Sequence, residues 1–305
     1  MTRRGANCIL VLMPTIKPCL TFDHQAEEAI RFYVSAFRDA ELINITHCGP
    51  GEPRPAGTVR TVRFTLFGQE MMALNGGPSF AFTPAVSLFV HCETPAEVDS
   101  VWEPLADGGT ALMPLDEYPW ASRFGWIQDR FGVSWQVVAA AGRQRIVPGL
   151  LFVGEHYGQA EEAVNRYVSL FPNSGIVEVR RFAEGGMEPA GGIEQARFAL
   201  DGYELSMTES SLDHRFTFSQ GISLYVGCAG QDELDHLWDG LGSGGTLQHG
   251  GWVVDRFGVP WQVAPERAWE MINDPDPARS QRVVNALLGM QKLDVATLER
   301  AYARE

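Results

Sequence analysis

The sequence predicts an α+β protein made of two tandem copies of one domain, followed by a helical tail. Three observations support this prediction. The second half of the chain repeats the landmarks of the first half in the same order. Within each copy, segments with apolar residues at helical spacing follow segments in which apolar and polar residues alternate. The 305 residues, 45% of them hydrophobic, are enough for two domains that each bury a core.

The internal repeat is clearest in two pairs of segments. Residues 26–37 match residues 160–171 at 8 of 12 positions, and residues 129–137 match residues 255–263 at 8 of 9. The second copy lacks most of the segment that corresponds to residues 114–124. The two copies therefore share a scaffold and differ in a loop, where specificity usually lies.

The first half of each copy is predicted to be a strand, a helix and further strands. In copy one, residues 17–22 have the composition of a short strand, and apolar side chains then recur at helical spacing over residues 26–37. Residues 58–74 alternate between apolar and polar side chains, with a turn at Phe67-Gly68-Gln69. This pattern predicts a β-hairpin.

The second half of the copy repeats this order of elements. Residues 86–92 predict a strand, and Thr94-Pro95 supplies the N-cap and first residue of a helix. Gly108-Gly109 ends that helix, and residues 126–138 form a final hairpin. Each copy thus contains the same β-α-β-β-β unit twice.

These patterns divide the chain into four regions. Residues 1–14 are expected to be a disordered extension, residues 15–141 the first domain, and residues 147–266 the second. The tail, residues 267–305, has apolar spacing typical of two surface-packed helices separated by residues 292–294.

Composition excludes several classes of partner. With 24 Lys and Arg against 38 Asp and Glu, the net charge is −14, and no basic cluster could neutralise phosphates. Nucleic acid and membrane partners are therefore not expected, and no apolar run is long enough to cross a bilayer. The five cysteines are scattered, which suits a reducing cytoplasm better than a disulfide framework.

Four sequence blocks, QAEEAIRFYVSAF, ALNGGP, SLFVHCE and FGWIQDRFGVSWQV, resemble the PhnB-like branch of the vicinal-oxygen-chelate (glyoxalase/bleomycin-resistance/dioxygenase) superfamily. Members of this branch are often labelled 3-demethylubiquinone 3-methyltransferase. The resemblance covers residues 15–139 and 148–265 and implies that paired βαβββ units curl one sheet into a cup around a small-molecule site. It also implies that the copies can form an intrachain pseudo-dimer, with a homodimer as an alternative.

The methyltransferase label is not supported by the residues. An S-adenosylmethionine site needs a glycine-rich turn after a first strand. The candidate, residues 240–245, follows a helix, and the matching residues 104–109 keep only the final glycine pair. We interpret these glycines as a helix terminator.

The resemblance also implies where metal ligands would stand, because metal-dependent members hold a divalent cation with His, Glu or Gln side chains inside the cup. In this chain the first-strand position falls on Pro18, which has no side-chain donor. The other positions fall on residues that are mostly weak neutral donors: Met71, Ser87 and Gln136 in copy one and Leu205, Ser223 and Gln262 in copy two. No metal cofactor is therefore expected.

One alternative remains open for a metal. A shift of one residue along a strand exchanges its two faces. Glu70 would then enter the cup together with Gln136, and His24 could approach from the strand–helix turn, although a turn histidine is more often solvated.

Polar residues on the concave face are the next candidates for ligand binding. Ser87 with Gln136, and Ser223 with Gln262, either bond to each other at the base of the cup or orient a polar ligand.

The repeated Asp129-Arg130-Phe131-Gly132 segment is interpreted as a structural hairpin turn.

The loop of residues 114–124 carries Tyr118, Trp120 and Arg123 between prolines. Such a loop would suit a lid over an apolar or anionic ligand, or equally a contact between domains.

The sequence therefore favours a protein that binds a small apolar or anionic metabolite in the cup of the first domain. Two alternatives stay open: a metal-dependent lyase, isomerase or dioxygenase of the superfamily, and a resistance-type protein that sequesters a ligand.

Overall fold

The computed structural model describes residues 16–303. It confirms the α+β class and the two tandem glyoxalase-like domains with C-terminal helices; the described residues form two curved eight-stranded sheets and seven α-helices. The expected extension, residues 1–14, lies outside the described residues.

The first repeat contains eight strands and two helices, in the predicted order: β1 (Ile16–Phe22), α1 (Ala26–Ala36), β2 (Glu41–His47), β3 (Val59–Leu66), β4 (Gln69–Asn75), β5 (Val86–Cys92), α2 (Pro95–Ala106), β6 (Thr110–Tyr118), β7 (Ala121–Gln128) and β8 (Ser134–Ala139). The second repeat has the same order: β9 (Arg145–Phe152), α3 (Ala160–Leu170), β10 (Gly175–Arg181), β11 (Ile193–Leu200), β12 (Tyr203–Glu209), β13 (Ile222–Cys228), α4 (Gln231–Gly242), β14 (Thr246–Leu247), β15 (Trp252–Val254) and β16 (Pro260–Pro265). The tail forms three helices: α5 (Glu266–Ile272), α6 (Pro277–Leu288) and α7 (Val295–Ala303).

Each sheet combines units from both repeats. Sheet A has the order β14-β15-β16-β13-β1-β4-β3-β2, so the first unit of repeat one pairs with the second unit of repeat two. Sheet B has the order β10-β11-β12-β9-β5-β8-β7-β6 and joins the two remaining units. The antiparallel pairs β1–β13 and β5–β9 make these connections. Each sheet is therefore built from both repeats, whereas the sequence placed a cup within the first repeat alone.

Within a repeat, the two units are joined by a buried carboxylate. Asp129, in the turn between β7 and β8, accepts hydrogen bonds from the Tyr33 hydroxyl of α1 (2.6 Å) and the Trp135 indole of β8 (2.8 Å). Because α1 packs on sheet A and β8 belongs to sheet B, Asp129 ties the two sheets together. In repeat two, Asp255 holds Tyr167 and Trp261 in the same way.

The same carboxylate explains the repeated turn sequence. Its other oxygen accepts from the backbone N–H groups of Phe131 (2.8 Å) and Val133 (3.0 Å). Gly132 between them has φ of +87°, a left-handed conformation that glycine adopts without strain. The turn is therefore structural, as the sequence predicted.

Two expectations about local structure were wrong. Residues 114–124 are not a loop, because β6 extends to Tyr118 and β7 begins at Ala121, giving a long hairpin at the edge of sheet B. The tail has three helices rather than two, since Glu266–Ile272 forms α5 directly after the last strand. No helix within residues 16–303 combines the length and apolar character needed to span a bilayer.

Replacing Asp129 should destabilise the fold strongly. Asp129→Ala leaves four donors without their acceptor, three of them buried, so the free energy of unfolding should fall by about 3 kcal/mol or more. Urea denaturation followed by circular dichroism measures this change.

Asp107→Ala is the matched control, because this carboxylate is 78% exposed and only pairs with Arg130 at 3.3 Å. The unfolding midpoint of this variant should stay almost unchanged. Equal shifts for the two variants would contradict the role of Asp129.

Candidate functional site

The concave face of sheet A carries two ion pairs that share one carboxylate. Lys17 on β1 contacts Glu70 on β4 at 3.0 Å, and Arg63 on β3 binds the same carboxylate at 2.5 Å. Successive residues of a strand point to opposite faces. Met72 therefore shares the face of Glu70. Met71 points to the opposite face, which α1 covers, and is buried in the core.

The C-terminal helices cover this concave face. Asp276 caps α6 by accepting from the Ala278 N–H at 2.9 Å, and Pro277 occupies the first helical turn. The apolar face of α6 is turned inward, where Val283 is completely buried. Because α5 and α6 face β13, β16 and the β14–β15 connection, the tail closes the cup of sheet A.

A cavity of about 330 Å³ lies between sheet A and these helices. Its wall is mostly apolar, which is typical of small-molecule sites. The strands of sheet A contribute Arg60, Thr61, Met72, Leu74, Asn75, Tyr225, Trp252, Gln262 and Ala264. The helices contribute Ala268, Trp269, Ile272, Val284, Leu287 and Leu288. The connecting segments contribute Cys48, Glu52, Pro53, Arg54, Gly76, Phe80, His249 and Gly250.

Arg60 anchors the helices to the sheet. Its guanidinium donates to the Ile272 carbonyl at the end of α5 and to the Ser280 hydroxyl of α6, each at 2.9 Å. Its charge is balanced by Glu52 at 2.9 Å, whose side chain is only 4% exposed. The guanidinium of Arg60 is thus hydrogen-bonded to groups of the protein, and its positive charge is neutralised by Glu52.

The floor of the cavity carries a small polar group. Gln262 on β16 donates from Nε2 to the Ser223 hydroxyl at 2.8 Å, and both side chains contact the Cys19 thiol. Burial raises the pKa of Cys19 to about 12, so this thiol stays neutral near pH 7. Gln262 and Ser223, two of the predicted residues, do bond to each other, and Gln262 also faces the cavity.

The concave face of sheet B carries a half-buried aromatic ring, Phe89, that packs against the sheet. A side chain on Gly149 would overlap the Phe89 ring, so that ring lies directly against the Gly149 backbone. Ser87, predicted as a ligand residue, bonds to the Ser134 hydroxyl at 3.0 Å instead. Gln136 lies half-buried beside Phe89 in the same sheet.

The other predicted residues lie apart from the cavity wall. Tyr118 and Trp120 stack at 4.9 Å on the β6–β7 hairpin, where Trp120 is 62% exposed. Arg123 pairs with Asp99 at 2.7 Å. His24 is largely exposed and bonds to its neighbouring carboxylate at 3.1 Å. The structure therefore separates these four residues from Gln262.

The concave residues do not fit a divalent cation. Glu70 is the carboxylate on this face, but it is already bound by Lys17 and Arg63. Burial raises the pKa of Glu70, and the hydrogen bonds from Arg63 and Lys17 outweigh this effect and hold it below its usual value. Across residues 16–303, no three His, Cys, Asp or Glu side chains are grouped as metal ligands. We assign no metal-dependent step to this site.

Sequence reasoning missed most of the cavity wall. The helix-forming pattern of residues 277–288 was visible, but a pattern cannot show which apolar surface a helix covers. Arg54 and Glu52 lie in the connection between β2 and β3, where no periodicity marks a functional side chain. The signal that could have been used was the apolar face of the tail helix, where Val283, Val284, Leu287 and Leu288 recur at helical spacing.

The sequence profile of a family described as 3-demethylubiquinone-9 3-methyltransferase matches residues 14–138 and 144–264. These matches cover more than half of the chain, and the protein therefore belongs to this family. The domain of this family is present twice, and the chain has a glyoxalase-like fold.

The chain is also similar to individual proteins, including the following three. An uncharacterized protein of Mycobacterium tuberculosis is 28% identical over 139 residues, covering 44% of this chain and 79% of that protein. A PhnB protein from Bacillus cereus is 44% identical over 41% of this chain and 98% of its own, with a TM-score of 0.39. Glyoxalase I from Zea mays is 10% identical over 81% of this chain and 91% of its own, with a TM-score of 0.50, a likeness of fold alone.

Removing the Arg60 anchor should loosen the C-terminal helices. In Arg60→Met combined with Glu52→Gln, which avoids an unpaired buried carboxylate, backbone hydrogen exchange in residues 266–288 should become at least about tenfold faster. Exchange in α1 and α3 should not change.

Arg63→Met is the matched control, since Arg63 lies on the same strand and binds Glu70 rather than the helices. Hydrogen exchange measured by mass spectrometry distinguishes the two. Equal acceleration of residues 266–288 in both variants would argue against the anchor.

Proposed function

We propose that the protein binds a small, predominantly apolar molecule in the cavity between sheet A and the C-terminal helices. The observation that carries this proposal is the cavity itself, about 330 Å³ in volume and lined by apolar side chains around a few polar groups. Cavities of this size and character are the usual sites for small ligands in proteins.

The proposed binding site differs from the one that the sequence suggested. The cup of the first domain under an aromatic lid is replaced by a cup built from both repeats and covered by α5 and α6. The exchange of strands between repeats supports this location, because it brings Met72 of repeat one and Ala264 of repeat two to the same cavity wall.

We do not propose methyl transfer for this chain, although the family description contains the word methyltransferase. The glycine-rich segment of residues 240–245 lies at the end of α4, where Gly244 has φ of +79°. It therefore ends a helix and does not follow a first strand, where a cofactor-binding turn would lie. Binding, rather than methyl transfer, is the activity that the cavity supports.

Filling the cavity should abolish binding of a neutral apolar probe. In Ala264→Phe, the added ring enters the cavity from β16, and the affinity for N-phenyl-1-naphthylamine should fall at least about tenfold, equivalent to ~1.4 kcal/mol. The fluorescence increase of the probe on binding gives the dissociation constant.

Val138→Phe provides the matched control. Val138 on β8 occupies in sheet B the position that Ala264 occupies in sheet A, since each lies two residues after the repeated Gln. The control should keep the wild-type affinity within about twofold. If wild type does not bind the probe, or if both variants lose binding equally, the proposed site is wrong.

A further inference from the structure

We infer that the ligand of this cavity is amphipathic, with an apolar body and a single anionic head group held by Arg54. This inference rests on the proposed function and deepens it, because it names the chemical class that the cavity selects. It follows from the charges that line the cavity wall and from which of them the protein already neutralises.

Three formally charged residues line the cavity: Glu52, Arg54 and Arg60. Glu52 and Arg60 form an ion pair at 2.9 Å with side chains 4% and 14% exposed, so they cancel each other. Arg60 is also occupied by the Ile272 carbonyl and the Ser280 hydroxyl. This leaves the guanidinium of Arg54 as the charge available to a ligand.

Arg54 is only partly compensated. It donates to the Asp23 carbonyl, and its separation from the Asp23 carboxylate is 3.9 Å, longer than a hydrogen bond. That carboxylate is 43% exposed and is shared with His24 at 3.1 Å. A guanidinium has five N–H donors, so Arg54 can still bind both oxygens of a carboxylate or phosphonate.

The surroundings of Arg54 strengthen this attraction. Its side chain is only 22% exposed and lies beside Gly77, where any side chain would contact the guanidinium. Apolar walls lower the local dielectric, which makes a charge–charge interaction stronger than in water. The whole protein carries a net charge of −14, so the positive charge at this site does not reflect an excess of basic residues in the chain.

The remaining wall fits the apolar body of such a ligand. Met72 and Leu74 form one side, and Ile272, Val284 and Leu287 form the other. None of these side chains can donate or accept a strong hydrogen bond, so a second charged group on the ligand would lose its hydration without compensation. The cavity therefore favours a ligand with one head group and disfavours a ligand that is charged at both ends.

The inference is tested with decanoate and decan-1-ol, which share an apolar chain and differ in the charge of the head group. Isothermal titration calorimetry of the full-length protein should give an affinity for decanoate about 10- to 100-fold higher than for decan-1-ol. In Arg54→Gln the affinity for decanoate should fall about tenfold or more, while that for decan-1-ol stays within about twofold.

Two further variants control this experiment. Arg54→Lys keeps the positive charge and should retain most of the affinity for decanoate. Arg38→Gln removes a cation whose side chain is 69% exposed and which is absent from the cavity wall, so it should change neither affinity. Circular dichroism confirms that each variant is folded.

The outcomes separate the two proposals. If wild type binds both compounds equally, or if Arg54→Gln leaves decanoate binding unchanged, the anionic head group is wrong while the cavity remains a binding site. If neither compound binds to the wild-type protein, both the inference and the proposed function are contradicted.

Discussion

The antiparallel pairing of β1 with β13 is the constraint on which the candidate site depends. It places Cys19 opposite Ser223 and joins the first unit of repeat one to the last unit of repeat two in one sheet. The last strand of that unit, β16, runs directly into α5. Because the tail starts at this sheet, it closes the cup of sheet A, and the cavity wall draws on both repeats and the tail.

The two sheets share a scaffold, yet one pair of equivalent positions, Gly149 and Cys19, contributes to the difference between their concave faces. Gly149 on β9 leaves room for the Phe89 ring to lie against the backbone. The corresponding residue of β1 is Cys19, as the pairing of β1 with β4 and of β9 with β12 shows. Tyr225, the counterpart of Phe89, is directed toward α5, where its ring centroid lies 6.2 Å from that of Trp269. The aromatic ring at this position thus lies against the sheet in sheet B and against α5 in sheet A.

Much of the fold could be predicted from the sequence, because periodicity and capping are local. The helices α1 and α2 begin where their apolar spacing and the Thr94 cap predicted, and the repeated turn at Asp129 has the expected structural role. The resemblance implied that the two copies pair with each other, but the sequence could not show which of the four βαβββ units share a sheet. The candidate site was only partly predicted: Gln262 faces the cavity, whereas Met71 was assigned to the wrong face by one residue.

The most direct test of this account is the position of a bound apolar molecule in a crystal. Crystals soaked with 1-bromonaphthalene would give an anomalous difference peak from the bromine atom. The account predicts a peak between Met72 and Ala264 of sheet A and Leu287 of α6. A peak over Phe89 in sheet B, with none beneath the C-terminal helices, would contradict it.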